Sequence, residues 1–212
     1  MAIRIILADD ADMMILGMRT ILESDHRYTI VGTARSIGEL LCVVKNESAD
    51  LIIFNEWLYN TDVLSTVEKL HETVPLARLL VMGALADGLL VRDLFHVGAR
   101  GYLYKGDDLC EILITAIETV MLDRLYLSPT ANAEYLIAMQ SPNAHEQLDT
   151  ESREVLQLLA HGEHAGEISE RMSIDKRRVY WVREKLRRRF GAKTNEHLIQ
   201  RAAAEGFIYP RD

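Results

Sequence analysis

Through the first 125 residues, short apolar runs alternate with stretches whose apolar residues recur at helical spacing. Residues 3–8 are apolar apart from Arg4, and residues 13–22 follow with a helical pattern. The pair repeats at 29–33 and 37–44, at 51–54 and 63–70, at 79–82 and 89–97, and at 101–104 and 109–122. Short, nearly continuous apolar strands separated by helices predict a parallel sheet covered on both faces. Five such units predict a doubly wound, flavodoxin-like α/β domain.

The pattern then changes. Residues 125–148 carry two Ser-Pro dipeptides and weak periodicity, with a short helix predicted at 131–139 between them. The stretch reads as a tether, which divides the chain into a domain at 1–124, a linker at 125–147 and a second domain at 148–212. That second domain reads as all-helical. A helix opens on Asp149 as N-cap and closes at Gly162, and a second spans about 165–172. After a short turn at 173–175 comes "KRRVYWVREKLRRRF", with Val179, Val182, Leu186 and Phe190 on one apolar stripe. Helix, short turn and basic helix predict a helix-turn-helix domain, whose second helix lies in a DNA major groove.

Charge sharpens the division. The net charge of -8 lies entirely in the first 125 residues, where 11 Lys and Arg face 19 Asp and Glu; the remainder balances at 13 against 13. Residues 176–193 alone hold nine basic residues and one acid, Glu184. A solvated helix face usually mixes signs, so this bias points to a phosphate backbone as partner. No apolar run reaches the ~18 residues of a membrane span, and the acidic pair Asp9-Asp10 comes too early for a signal peptide. Cys42 and Cys110 read as separate, buried thiols of a cytoplasmic protein.

In open parallel sheets, chemistry collects beyond the C-terminal strand ends. Asp9, Asp10, Asn55, Gly83 and Lys105 all fall there. Their order, with "HVGARGYLYK" at 96–105, resembles the receiver domain of bacterial response regulators. The resemblance implies an acidic pair and a strand-end aspartate that hold Mg²⁺, the aspartate accepting a phosphoryl group from a histidine kinase. It also implies a Thr or Ser and a Lys on the phosphoryl oxygens, with Tyr102 as the switch aromatic. Asp9, Asp10 and Lys105 match, but Asn55 stands at the acceptor position and Gly83 at the Thr or Ser position. A neutral amide offers no anionic nucleophile and removes a hard oxygen charge from the metal site. Lys105 and the acidic pair are then free to pair with each other. Glu56, next to Asn55, is discounted as a substitute acid because strand alternation turns it away.

The C-terminal part resembles the LuxR-type helix-turn-helix of the NarL/FixJ class. "EVLQLLAHG" at 154–162, "EIS" before the turn, Val179, Leu186 and Phe190-Gly191-Ala192, and "HLIQRAAAEGFI" carry the likeness. The two resemblances together cover nearly the whole chain outside the tether. Ala165 and Gly166 replace a polar phosphate-holding pair, and the base-reading positions fall on Tyr180, Trp181 and Glu184. Glu184 can accept from cytosine amines, while Tyr180 and Trp181 can meet either a groove or protein. Lys176, Arg177, Arg178, Arg183, Lys185, Arg187 and Arg188 are candidate phosphate contacts.

The expectation is a dimeric, cytoplasmic DNA-binding regulator without cofactor or metal, its receiver independent of phosphorylation. Control would then pass to protein level, a small molecule in the vacant pocket or a partner protein. The alternative is a pseudo-receiver that sequesters a kinase or another regulator. An enzyme is disfavoured by Asn55 at the one position that would have to react, and by the absence of a Ser/His/Asp grouping, phosphate loop or zinc spacing.

Overall fold

The computed structural model describes residues 2–58, 63–84, 86–140, 148, 150–204 and 207, in two compact units, Met1–Pro142 and Asn143–Asp212. In the first unit, β1 (Ile3–Ala8), β2 (Tyr28–Ala34), β3 (Leu51–Asn55), β4 (Arg78–Gly83) and β5 (Gly101–Tyr104) alternate with five helices. These are α1 (Asp12–Glu23), α2 (Ile37–Asn46), α3 (Val63–Thr73), α4 (Gly88–His96) and α5 (Leu109–Met121). All strand pairs are parallel, in the order β2-β1-β3-β4-β5-β6, where β6 is Tyr126–Leu127.

Strand alternation sorts the apolar residues onto two faces. Ile5, Leu7, Leu51, Ile53, Leu80, Met82 and Leu103 form one buried cluster with Met18 and Leu22 of α1 and Leu113, Ile117 and Val120 of α5. Ile6, Ile52, Phe54, Val81 and Tyr102, at the intervening positions, are also fully buried, so neither face is left to solvent. The central strands end together, which places Asp9, Asn55, Gly83 and Lys105 along one edge.

The supposed tether requires a correction. Tyr126–Leu127 adds a sixth strand beside β5, and α6 (Pro129–Gln140) packs against α4. The first compact unit therefore runs to Pro142 instead of ending at residue 124. Ser128 fastens this extension: its N–H donates to the Tyr102 carbonyl at 3.1 Å, and its Oγ accepts from the Tyr104 N–H at 2.9 Å. Asp107 then accepts from the Thr130 N–H at 3.1 Å and the Thr130 hydroxyl at 2.6 Å, holding the first turn of α6. Residues 141–147 of the expected linker, and Asp149 as the expected N-cap, lie outside the described residues.

The cysteines also differ from expectation, both being exposed. Cys42 lies between Leu40 and Val44, the buried positions of α2, and so turns away from the stripe they define. Cys110 sits in the first turn of α5, where burial begins only at Leu113.

The second unit consists of α7 (Thr150–Ala160), α8 (Ala165–Met172), α9 (Lys176–Arg189) and α10 (Asn195–Ala204). The stripe Val179, Val182, Leu186 and Phe190 is buried, as are Val155, Leu156, Ile168, Leu198 and Ala202. Ser173, in the left-handed region at φ 53°, turns the chain between α8 and α9. Ser169 fixes that turn, its hydroxyl donating to the Ile174 carbonyl at 2.7 Å and its carbonyl accepting from the Ile174 N–H at 3.1 Å.

Candidate functional site: a closed strand-edge pocket and a basic helix

At the strand edge the polar residues satisfy one another. Asp9 is fully buried; its Oδ1 accepts from the Ala11 N–H and its Oδ2 from Lys105 Nζ, both at 2.8 Å. Asn55 is oriented at both ends of its amide. Its Nδ2 donates to Asp10 Oδ1 at 2.9 Å, and its Oδ1 accepts from the Trp57 N–H at 3.3 Å. The amide thus directs an N–H, and no charge, at Asp10.

Glu56 takes part in this edge in a way that strand alternation alone does not reveal. It is buried beside β4, its own N–H donating to the Met82 carbonyl at 2.7 Å. Its Oε1 accepts from the Ala84 N–H at 2.7 Å, and its Oε2 accepts from the Tyr102 hydroxyl at 2.8 Å. A Cβ on Gly83 would lie 1.9 Å from that hydroxyl and 2.2 Å from Oε2. The absent side chain at position 83 is therefore the space in which Tyr102 and Glu56 meet. The signal for Glu56 in the sequence is a carboxylate adjoining an apolar strand end.

Mg²⁺ keeps several of its waters but needs at least one or two carboxylates open to it. Asp9 is already bound by an ammonium, Asp10 receives an amide N–H, and the third position carries that amide in place of a carboxylate. These residues do not fit Mg²⁺ as a donor set, and no group of three or more His, Cys, Asp or Glu suited to a metal occurs among the described residues.

In the second unit, Asp175 caps α9, its carboxylate accepting from the Arg177 N–H at 2.6 Å, and Lys176 and Arg177 stand exposed in the first turn. The other candidate contacts divide. Arg188 is exposed, whereas Arg178 lies over the Trp181 ring at 5.1 Å and donates from Nε to both oxygens of Glu151 of α7, at 2.9 and 3.0 Å. Lys185 approaches the same ring at 5.1 Å, and Arg183 covers Tyr180 at 4.7 Å. Arg187 donates to Glu184 at 2.7 Å and to Asn195 at 2.9 Å, while Arg183 stands 3.6 Å from the same carboxylate.

Two of the candidate residues are engaged within the unit. Trp181 is buried at 9% exposure, so it packs within protein instead of presenting its ring to a groove. Arg178 is committed to Glu151 and Trp181, which makes it a tie between α7 and α9. Tyr180 remains half-buried under Arg183.

The pattern of the first unit matches a known family: the response regulator receiver domain, over residues 5–117. The chain belongs to that family. Among curated relatives, it is 24% identical to the transcriptional regulatory protein LnrK of Bacillus subtilis, over 81% of this chain and 83% of that protein. It is 25% identical to a putative transcriptional regulator of Pseudomonas aeruginosa, over 97% of this chain and 99% of that one. In solved structures the fold is similar to RcsB from Salmonella enterica serovar Typhimurium bound to promoter P1flhDC. That likeness has a TM-score of 0.63 and 15% identity over 96% of this chain and 99% of that one. The two curated relatives bear the names of a transcriptional regulatory protein and a putative transcriptional regulator, and the matches over 97% and 96% of this chain extend into the helical second unit.

Proposed function

We propose that this chain is a DNA-binding transcription regulator of response-regulator type, with a LuxR-type helix-turn-helix, whose receiver is not switched by phosphorylation. The observation that carries the second half is the Asn55 amide donating to Asp10, with Lys105 already seated on Asp9. Phosphoryl transfer to a side chain requires an anionic oxygen in line with the donor, and this position offers an amide held by two hydrogen bonds. Gly83 supplies no hydroxyl for a phosphoryl oxygen. The protein acts by binding, in the cytoplasm where its DNA is, and control passes to protein level, a small molecule or a partner protein.

DNA binding is supported by the order α8, turn, α9 and by the exposed cations Lys176, Arg177 and Arg188 on a helix of strong basic bias. Crystallised RcsB is described as dimers on DNA, and helix-turn-helix units commonly read paired half-sites, which together support a homodimer here.

Two measurements on the full chain test the proposal. Intact mass after incubation with acetyl phosphate and Mg²⁺ should show no phosphoryl adduct; an adduct within the receiver would end the phosphorylation-independent reading. Selection from random duplex DNA should enrich a paired site. Failure to enrich any sequence, with no salt-dependent binding to duplex, would favour the sequestering pseudo-receiver instead.

A further inference from the structure

We infer that Glu56 and Tyr102 form a latch, built in the space left by Gly83, that fixes the receiver in one state and ties that state to α6. This rests on the reading that phosphate does not set the state of this receiver. Three adjacent strand ends supply the parts. Tyr102, on β5, is fully buried, so its hydroxyl must find a partner inside the protein. Glu56, just past β3, supplies it, accepting the hydroxyl at 2.8 Å while its second oxygen accepts the Ala84 N–H at 2.7 Å. Gly83, at the end of β4, makes the meeting possible. A Cβ there would overlap the hydroxyl at 1.9 Å and the carboxylate at 2.2 Å. Both are the ends of side chains, so a larger residue at 83 would have to displace the carboxylate, the buried ring or both.

The side chain of Tyr102 is therefore the centre of a three-strand arrangement, and its backbone extends that arrangement outward. Its carbonyl accepts from the Ser128 N–H at 3.1 Å, and Ser128 Oγ accepts from the Tyr104 N–H at 2.9 Å. Ser128 joins β6 to α6, the last described helix of this unit. A shift of the Tyr102 backbone would accordingly be passed to β6 and the seat of α6. Glycine at position 83 is then more than a missing hydroxyl: it admits an internal pair that holds the aromatic in place of any bound group.

A mutant cycle on the full chain tests this. Gly83→Ala is expected to lower the urea midpoint clearly in the natural background but by less than about a third as much in a Tyr102→Phe/Glu56→Ala background, because neighbours sharing one space are non-additive. Equal losses in the two backgrounds would refute the latch. Tyr102→Phe, which keeps the ring and so folds, is expected to speed amide exchange by about tenfold at Ala84 and across 126–140, the order expected from losing one buried hydrogen bond. Unchanged exchange across 126–140 would remove the link to α6. The two readings fail separately: an acetyl-phosphate adduct would overturn phosphate independence and leave the cycle as measured, while an additive cycle would overturn the latch and leave Asn55 inert.

Discussion

Asn55 differs from a carboxylate by one NH₂ group, and its surroundings have adapted to that difference. The amide donates to Asp10 at 2.9 Å, so Asn55→Asp would replace a hydrogen bond with two like charges in contact. The expected cost is about 1–3 kcal/mol near neutral pH, from the lost donor and the added repulsion. Because the variant restores a third carboxylate, Mg²⁺ should raise its urea midpoint while leaving that of the natural chain unchanged, a linkage effect that denaturation with and without Mg²⁺ measures directly. An equal Mg²⁺ response in both proteins would contradict the view that the natural donor set does not suit the cation. Asp9, Asp10, Asn55 and Lys105 were legible in the sequence because each follows an apolar run at the edge where a parallel sheet collects its polar residues. Glu56 was not. Alternation shows that it departs from Asn55, but its partner depends on a hydroxyl from β5 and on a missing Cβ in β4, and neither is local to it.

At the scale of elements, the five strand-helix pairs could be read from periodicity, whereas α6 could not be placed. Its one fully buried residue is Ala131, and it docks by close backbone approach in place of an apolar stripe. A Cβ on Gly88 of α4 would lie 2.3 Å from the Glu134 carbonyl oxygen and 2.8 Å from Ala138 Cβ. Backbone cannot yield as a side-chain tip can, so Gly88→Ala should push α6 away and cost about 1–3 kcal/mol, with faster amide exchange across 129–140 than across α5. The start of α6 should also respond to acid. Burial, the largest single influence on Asp107, pushes its carboxyl up, but hydrogen bonds from Thr130 and Ser128 outweigh it and hold the group below the usual carboxylate range. A carboxyl lowered on folding stabilises the folded state above its unfolded pKa of about 4, and that contribution is lost as pH falls further through the folded value. Protection of the first turn of α6 should therefore decline on acidification below about pH 4, and Asp107→Asn should remove that part of the pH dependence. An unaltered acid profile in the variant would show that other carboxylates govern the loss.

Across the whole molecule, the acidic part of the sequence and the balanced part that carries the basic helix correspond to two compact units, and the functional weight of the second depends on which cations reach a ligand. Sequence counts all nine basic residues of 176–193 alike, because a one-dimensional pattern does not show which are exposed. The structure separates them. Lys176, Arg177 and Arg188 are exposed, while Arg178, beside Glu151, and Arg187, beside Glu184 and Asn195, are half-buried. Each phosphate neutralised on duplex DNA contributes a slope of about -0.9 to log K against log salt. Combining Lys176→Ala, Arg177→Ala and Arg188→Ala should therefore flatten the slope by up to roughly 3 and weaken binding to all sequences together. Arg178→Ala should do the reverse. It strips a partner from Glu151 and a cation from the Trp181 ring, so the urea midpoint falls while the salt slope of the remaining folded protein stays nearly constant. Fluorescence anisotropy titrations from low to moderate salt, paired with urea denaturation of the same variants, distinguish the two effects. If Arg178→Ala flattened the slope as much as an exposed lysine does, its pairing with Glu151 would have to open on DNA, and α7 would join the binding surface.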